Sequence, residues 1–134
     1  MSILDADIII SYFRKIQQAV SVINNLKDNN TTLKTTVITV RELYKGAYLS
    51  TKVDKNKQII EDFLKNVEIL SLTTKDIIEY ARISANLSKK GEIIGYFDEL
   101  IGSIAIARNE TLITRNIRHY NRISNLSLFN WEEM

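Results

Sequence analysis

Three carboxylates, Asp5, Glu42 and Asp98, sit in surroundings that an ordinary surface acid does not share. Asp5 ends the short apolar segment Ile3-Leu4, where an unpaired carboxylate is poorly solvated. Asp98 opens the mostly apolar stretch 100–107, and Glu42 falls in the expected first turn of a helix, off its apolar stripe. If these acids converge, their repulsion must be relieved by a proton or by a cation. Mg²⁺ or Mn²⁺ suits the second outcome, because such an ion takes a few carboxylates and keeps several waters. It also lowers the pKa of a water and stabilises charge developing on a phosphate. Each acid has a local role open to it as well. Asp5 and Asp98 can serve as helix N-caps, Glu42 can complement a helix dipole, and Asp7 can be a cap or a group supporting Asp5.

Composition narrows the chemistry further. The chain has 134 residues, 45% of them hydrophobic and 25% charged, which is the content of one domain with one core. A single domain over residues 1–134 is expected. The net charge of +2 is too small to indicate nucleic-acid binding by itself, so RNA contacts would have to come from local placement of Lys and Arg. With no Cys and only His119, thiolate and His-rich zinc sites are excluded, and any metal must be held mainly by oxygen. No basic region leads into a long apolar run near Met1, so neither a signal peptide nor a membrane span is expected, and a cytoplasmic protein is.

The elements that must position these residues follow from periodicity. Residues 2–4 read as a short buried strand, and Phe13, Ile16, Ala19, Val20, Ile23 and Leu26 recur at helical spacing. The β-branched run 35–39 predicts a second strand, followed by a helix carrying Val40, Leu43, Tyr44, Ala47 and Tyr48. Ile59, Ile60, Phe63 and Leu64 mark another amphipathic helix, closed by a strand over 67–70. Thr73 or Thr74 can cap a helix that stops at Lys89-Lys90-Gly91. Residues 100–107 predict a helix buried between layers, and strands are expected over 111–114 and 126–129. Strands alternating with helices imply a mostly parallel sheet covered on both faces, a three-layer α/β/α sandwich. Functional residues then gather beyond the carboxyl ends of the strands, where Asp5, Thr39 and Thr114-Arg115-Asn116 fall.

Four segments, taken in order, resemble the PIN-domain family, specifically toxins of the VapC type. They are Ile3-Leu4-Asp5-Ala6-Asp7-Ile8-Ile9-Ile10, then Val37-Ile38-Thr39-Val40-Arg41-Glu42-Leu43-Tyr44-Lys45-Gly46-Ala47. The third is Gly95-Tyr96-Phe97-Asp98-Glu99-Leu100-Ile101-Gly102-Ser103-Ile104-Ala105, and the last is Leu112-Ile113-Thr114-Arg115-Asn116-Ile117-Arg118-His119-Tyr120 with Leu126 and Trp131. The resemblance implies a metal-dependent endoribonuclease in which Asp5, Glu42 and Asp98 hold Mg²⁺ or Mn²⁺. Asn116 would join them in catalysis, and Asp7 and Thr114 would support them. It also implies a type II toxin that forms a homodimer and is held by a small antitoxin masking the acidic site. Many PIN domains carry a fourth acid where this chain has Asn116, whose neutral oxygen can bind a water but adds no charge. His119 falls where some relatives carry an acid, and its polar neighbours fit a surface loop.

Arg14, Arg41, Arg115 and Arg118 are candidates for phosphate contacts, because a guanidinium matches phosphate oxygens. Tyr96 and Phe97 can either stack on a base or be buried beside the site. The amphipathic stretches 13–26 and 59–64 can be partner-contacting surfaces or core. Two other readings compete. Asp5-Ala6-Asp7 fits the Asp-x-Asp of haloacid-dehalogenase-type phosphatases, and a PIN-like module could bind RNA or protein without cleaving.

Overall fold

The computed structural model describes residues 1–133. Its strands are β1 (Ser2–Leu4), β2 (Leu33–Thr36), β3 (Val67–Leu70), β4 (Thr111–Ile113) and β5 (Leu128–Phe129). The helices are α1 (Ala6–Phe13), α2 (Gln17–Asp28), α3 (Val37–Leu49), α4 (Val53–Leu64), α5 (Thr74–Lys90), α6 (Tyr96–Ala107) and α7 (Ile117–Tyr120), followed by a 3₁₀ turn at Trp131–Glu133. All strands pair in parallel, in the order β3-β2-β1-β4-β5. Their carboxyl ends therefore share one edge. The chain moves outward from β1 in one direction to β2 and β3, and in the other to β4 and β5. A crevice forms where the direction of winding reverses.

Strand periodicity builds the layers. Ile3 pairs with Leu112 and Leu4 with Ile113, so alternate residues of the central strands face opposite sides of the sheet. Leu4 and Ile113 join Ile8, Ile9, Ala19, Ile23 and Leu43 in one core. Ile3 and Leu112 join Leu70, Ile83, Leu87, Ile101, Ile104 and Tyr120 in the other. The result is the expected α/β/α sandwich.

The structure moves several boundaries. The apolar repeat across 13–26 is interrupted, because α1 stops at Phe13 and Lys15 takes φ 61°. Lys15 N–H donates to Tyr12 O and Ile16 N–H to Ser11 O, which is the hydrogen-bond pattern of a left-handed helix stop. Asn30, Gly91 and Asn109 end their helices in the same way. In a chain without Pro these stops do the work of termination. Asn and Gly tolerate that conformation, but Lys15 carries no such signal, so the break was not legible.

The β2 strand is earlier than the 35–39 run suggested. Thr36 caps α3, its hydroxyl accepting from Thr39 N–H at 3.1 Å, so Thr39 lies inside the helix rather than at a strand end. Glu42 therefore sits in the second turn of α3, not the first. The helix through Ile59 begins at Val53, β4 stops at Ile113, and β5 covers only Leu128–Phe129. The Thr73 cap is confirmed by a reciprocal box with Asp76, and Gly91 closes α5. Asp76 also takes an ion pair from Arg108 at 2.6 Å, tying the start of α5 to the end of α6.

Candidate active site

Asp5 leaves the central strand and enters α1 as its N-cap, so its cap role and its place at the sheet edge coincide. One carboxylate oxygen accepts from Ala6 N–H at 2.9 Å, and the other accepts from the Thr114 hydroxyl at 2.8 Å. The same hydroxyl lies 2.9 Å from Asp7 Oδ2 and accepts from Asn116 N–H at 3.0 Å. A hydroxyl has a single proton, so Thr114 shares it between two acids. Asp7 is otherwise saturated: Arg115 N–H donates to Oδ2 at 3.1 Å and the Trp131 indole N–H donates to Oδ1 at 2.9 Å. With both oxygens engaged, Asp7 is a brace between α1, the loop after β4 and the C-terminal segment. It is not placed as the free general acid that an Asp-x-Asp phosphatase needs.

Asp98 arrives from the other side. Gly95 has φ 111°, a conformation closed to most L residues, and α6 starts immediately after it. Gly95 offers no side-chain cap; buried Glu99 reaches back instead and accepts from Ile94 N–H at 3.4 Å and Gly95 N–H at 3.3 Å. Asp98 is thus the third residue of α6 and not its cap. It accepts from the buried Tyr120 hydroxyl at 3.2 Å and lies 4.0 Å from His119 Nδ1. Asn116 Nδ2 lies 3.4 Å from the same imidazole nitrogen. Glu42 projects from α3 with no hydrogen-bond partner among the described residues.

These side chains line one open cavity of about 520 Å³, bounded by Asp5, Asp7, Glu42, Asp98, Arg115, Asn116 and Glu132. Asp5, Glu42 and Asp98 are raised above their ordinary pKa values. Asp5, 7% exposed, is pushed to about 7, first by burial and then by the charge of Asp7, against the opposing bonds from Thr114 and Ala6. Burial and the charge of Asp98 raise Glu42, while Arg41 opposes them. Burial raises Asp98 against the Tyr120 bond and His119. Burial and then Asp5 and Asp98 push the Tyr120 hydroxyl well above its usual value.

No Lys or Arg among the described residues forms an ion pair with Asp5, Asp7, Glu42 or Asp98. Nor are three acidic or imidazole groups among the described residues gathered tightly enough to make a ready-made metal cage. Arg115 in the cavity wall pairs instead with Glu132 at 3.7 Å. Hard oxygen donors around such an open acidic cavity fit a cation that retains waters, rather than one enclosed by protein.

The sequence-derived set thus falls into groups. Asp5, Glu42, Asp98 and Asn116 come to one cavity, with Asp7 and Thr114 beneath them. Arg115 lines the same cavity, and Arg14 lines the adjoining hollow that shares Asp7, Glu42 and Arg115. Arg41 stacks on Phe97, 3.8 Å from the ring centroid, while exposed Arg118 lines none of these hollows. Tyr96 and Phe97 are exposed rather than buried. Sequence reasoning missed Glu99, Tyr120, Trp131 and Glu132 as site residues. Tyr120 and Trp131 lay within a recognised segment, but no spacing rule links an indole to an acid across the whole chain. Glu99 had a readable signal, an acid in a first turn behind a glycine.

Comparison with known proteins agrees with this geometry. The family model for the PIN domain matches residues 2–125. Ribonuclease VapC2 of Rickettsia felis is 39% identical over 115 residues, covering 84% of this chain and 86% of that protein. The tRNA(fMet)-specific endonuclease VapC of Salmonella typhimurium is 32% identical over 94 residues, 70% of this chain and 71% of its own. Among solved structures, VapBC2 from Rickettsia felis bound to a DNA fragment from their promoter superposes with a TM-score of 0.90 at 34% identity, covering 97% of this chain and 98% of that one. With an acidic cavity at the sheet's carboxyl edge and this match over nearly its whole length, the chain belongs to the PIN-domain family, among its VapC-like ribonucleases.

Proposed function

We propose that this chain is an Mg²⁺- or Mn²⁺-dependent endoribonuclease in which Asp5, Glu42 and Asp98 hold the cation and Asn116 assists. The reading rests above all on the meeting of those acids, from separate elements, on one cavity where none of them is ion-paired to a described Lys or Arg. A bound divalent cation supplies Lewis-acid polarisation of the scissile phosphate and a lower pKa for the attacking water. The chain's own residues do the rest. Asp5 must give up its proton to become a ligand, and the Thr114 hydroxyl stays hydrogen-bonded to its carboxylate as it does so. Asp7, whose two oxygens take three donors, would not be among the residues holding the cation and keeps the C-terminal segment against the site. Arg115 and Arg14, on the cavity wall and in the adjoining hollow, draw in backbone phosphates.

The chain acts as the toxin of a type II toxin–antitoxin pair, in line with the VapBC neighbours. A hollow of about 340 Å³ that includes Glu42 and is lined by Ile10, Phe13, Leu43, Ala47, Ile59 and Ile60 offers a small antitoxin an apolar seat next to the acids. The stretches 13–26 and 59–64 thus divide their roles: Ala19, Val22 and Ile23 are core, Ile60 and Phe13 join the core to the hollow, and exposed Ile59 lines the hollow. The protein works as a homodimer in the cytoplasm; no described helix is long and apolar enough to cross a membrane. The substrate class extended from the Salmonella relative is tRNA.

The test is cleavage of tRNA and of unstructured RNA by antitoxin-free protein, with Mg²⁺, with Mn²⁺ and with chelator. Cleavage requires the cation and falls at least about a hundredfold in Asp5→Asn, the scale of losing an electrostatic contact to the transition state. Undiminished cleavage by folded Asp5→Asn, or none by the wild type, returns the chain to a binding module.

A further inference from the structure

The two helices that bring Glu42 and Asp98 to the cavity also carry a feature the chemistry above does not use. Beside Glu42 is Arg41, and beside Asp98 is Phe97. The guanidinium of Arg41 lies 3.8 Å from the Phe97 ring centroid, a face-stacked distance. Arg41 is itself exposed, Phe97 is 44% exposed and Tyr96 is 75% exposed. An exposed cationic and aromatic pair therefore stands next to the acidic cavity, close enough for the Arg41 charge to act on Glu42, with exposed Tyr96 beside it in sequence.

We propose that Tyr96 and the stacked Arg41–Phe97 pair form the shelf on which an unpaired base of a single-stranded RNA segment stacks beside the acidic cavity. This rests on the nuclease reading and adds how the substrate is positioned. Stacking on aromatic rings and guanidinium planes is how proteins grip splayed bases, and it tolerates sequence because every base has a π-face. The exposed pair Ile77 and Ile78 of α5 is aliphatic and offers no such plane, and exposed Tyr48, with Lys57 5.1 Å from its ring, stands at the far end of α3 from the acids and lines none of the acidic cavity. The backbone turn that carries Tyr96 and Phe97 is tied down before any ligand arrives. Glu99 ties down the Ile94 and Gly95 amides at its base, and Tyr120 holds Asp98 from below. A pre-ordered surface loses less freedom on binding. Arg115, in the lining of the same cavity, offers the strand a phosphate contact beside the shelf.

The test uses the full chain carrying Asp5→Asn, so that RNA is held and not cut. Fluorescence anisotropy follows binding of a short labelled single-stranded RNA of mixed sequence, and of the same sequence as a duplex. Tyr96→Ala and Phe97→Leu each weaken single-strand binding about tenfold, the effect of losing one stacked base. Phe97→Trp restores it, and Arg41→Ala weakens it. In the otherwise wild-type protein the same changes raise KM for cleavage while kcat holds within about twofold, the mark of a lost ground-state contact. Unchanged RNA binding in Tyr96→Ala and Phe97→Leu overturns the shelf while leaving metal-dependent cleavage standing. So does equal loss in Phe97→Leu and Phe97→Trp, which would mean the pair only braces α3 against α6. Retained RNA binding with a weakened hold on the antitoxin would make the surface a protein-docking one, and the proposal fails. Absence of cation-dependent cleavage in the wild type is a separate failure, that of the nuclease itself.

Discussion

At Asp5 the fold and the proposed chemistry pull in opposite directions. Its carboxylate caps α1, which favours ionisation, yet burial and Asp7 hold its pKa at about 7. The folded chain therefore binds this proton more tightly than the unfolded chain, where the value is near 3.8. The stability it contributes is fully present below about pH 4 and is lost as pH rises through about 7. Glu42 and Asp98 are shifted in the same direction and deepen the trend. Calorimetry in chelator should show the melting temperature falling across that window. Asp5→Asn keeps an acceptor for Ala6 and gives Thr114 a donor, so it should flatten the fall and melt higher than wild type above about pH 7. A mutant that melts well below wild type at every pH would mean the charge itself is needed for the cap.

At the scale of elements, α6 is the piece whose exact start matters. It carries Asp98 toward the cavity, yet Gly95 gives its N-terminus no side-chain cap, and the task passes to buried Glu99. Glu99→Ala leaves two amides without their acceptor and should cost about 1–3 kcal/mol, the penalty for unpaired buried groups. Cleavage should fall along with stability, because Asp98 and the Tyr96–Phe97 ledge hang from the same turn. Glu99→Gln retains a carbonyl acceptor and should lose much less of both. Paired melting and rate measurements check this, and an Ala variant as active as wild type would place Asp98's positioning in its bond to Tyr120 instead. Much of this level was legible. Capping chemistry at Thr73, the Gly91 stop and the apolar runs located α5, α6 and the central strands. The start of α3 was misplaced because Thr35, Thr36 and Thr39 are all β-branched, and only the Thr36 cap bond decides which of them leave the strand.

For the molecule as a whole, folding assembles negative charge faster than it supplies relief. Strand order puts β1 between β2 and β4, so Asp5, the start of α3 and Thr114-Arg115-Asn116 converge on one edge, and α6 adds Asp98. A divalent cation that binds only the assembled site should stabilise the fold by about 2.7 kcal/mol at a hundredfold excess over its Kd. For a chain of this size that is on the order of 10 °C in Tm. The gain should grow from about pH 6 to about pH 8, as protons stop competing for Asp5, and it should be blunted in Asp5→Asn. A cation effect equal in wild type and mutant would place binding elsewhere on the surface.

What the amino-acid order determined by itself was the local grammar: apolar alternation, caps, stops, and which acids stand next to buried segments. These depend on neighbours a few residues apart; they marked Asp5, Glu42 and Asp98 as acids beside apolar segments and Thr114-Arg115-Asn116 as a strand end, while the resemblance to the PIN domain implied their roles. The tertiary structure alone decided the state of those groups. The indole of Trp131 meets Asp7 and the hydroxyl of Tyr120 meets Asp98 only after the C-terminal segment packs back against α1 and α6. Whether Tyr96 and Phe97 are buried or open depends on where α3 lies, and Arg41 settles on Phe97 only once α3 and α6 are side by side. Burial and charge proximity are sums over distant parts of the chain, and no local spacing encodes them.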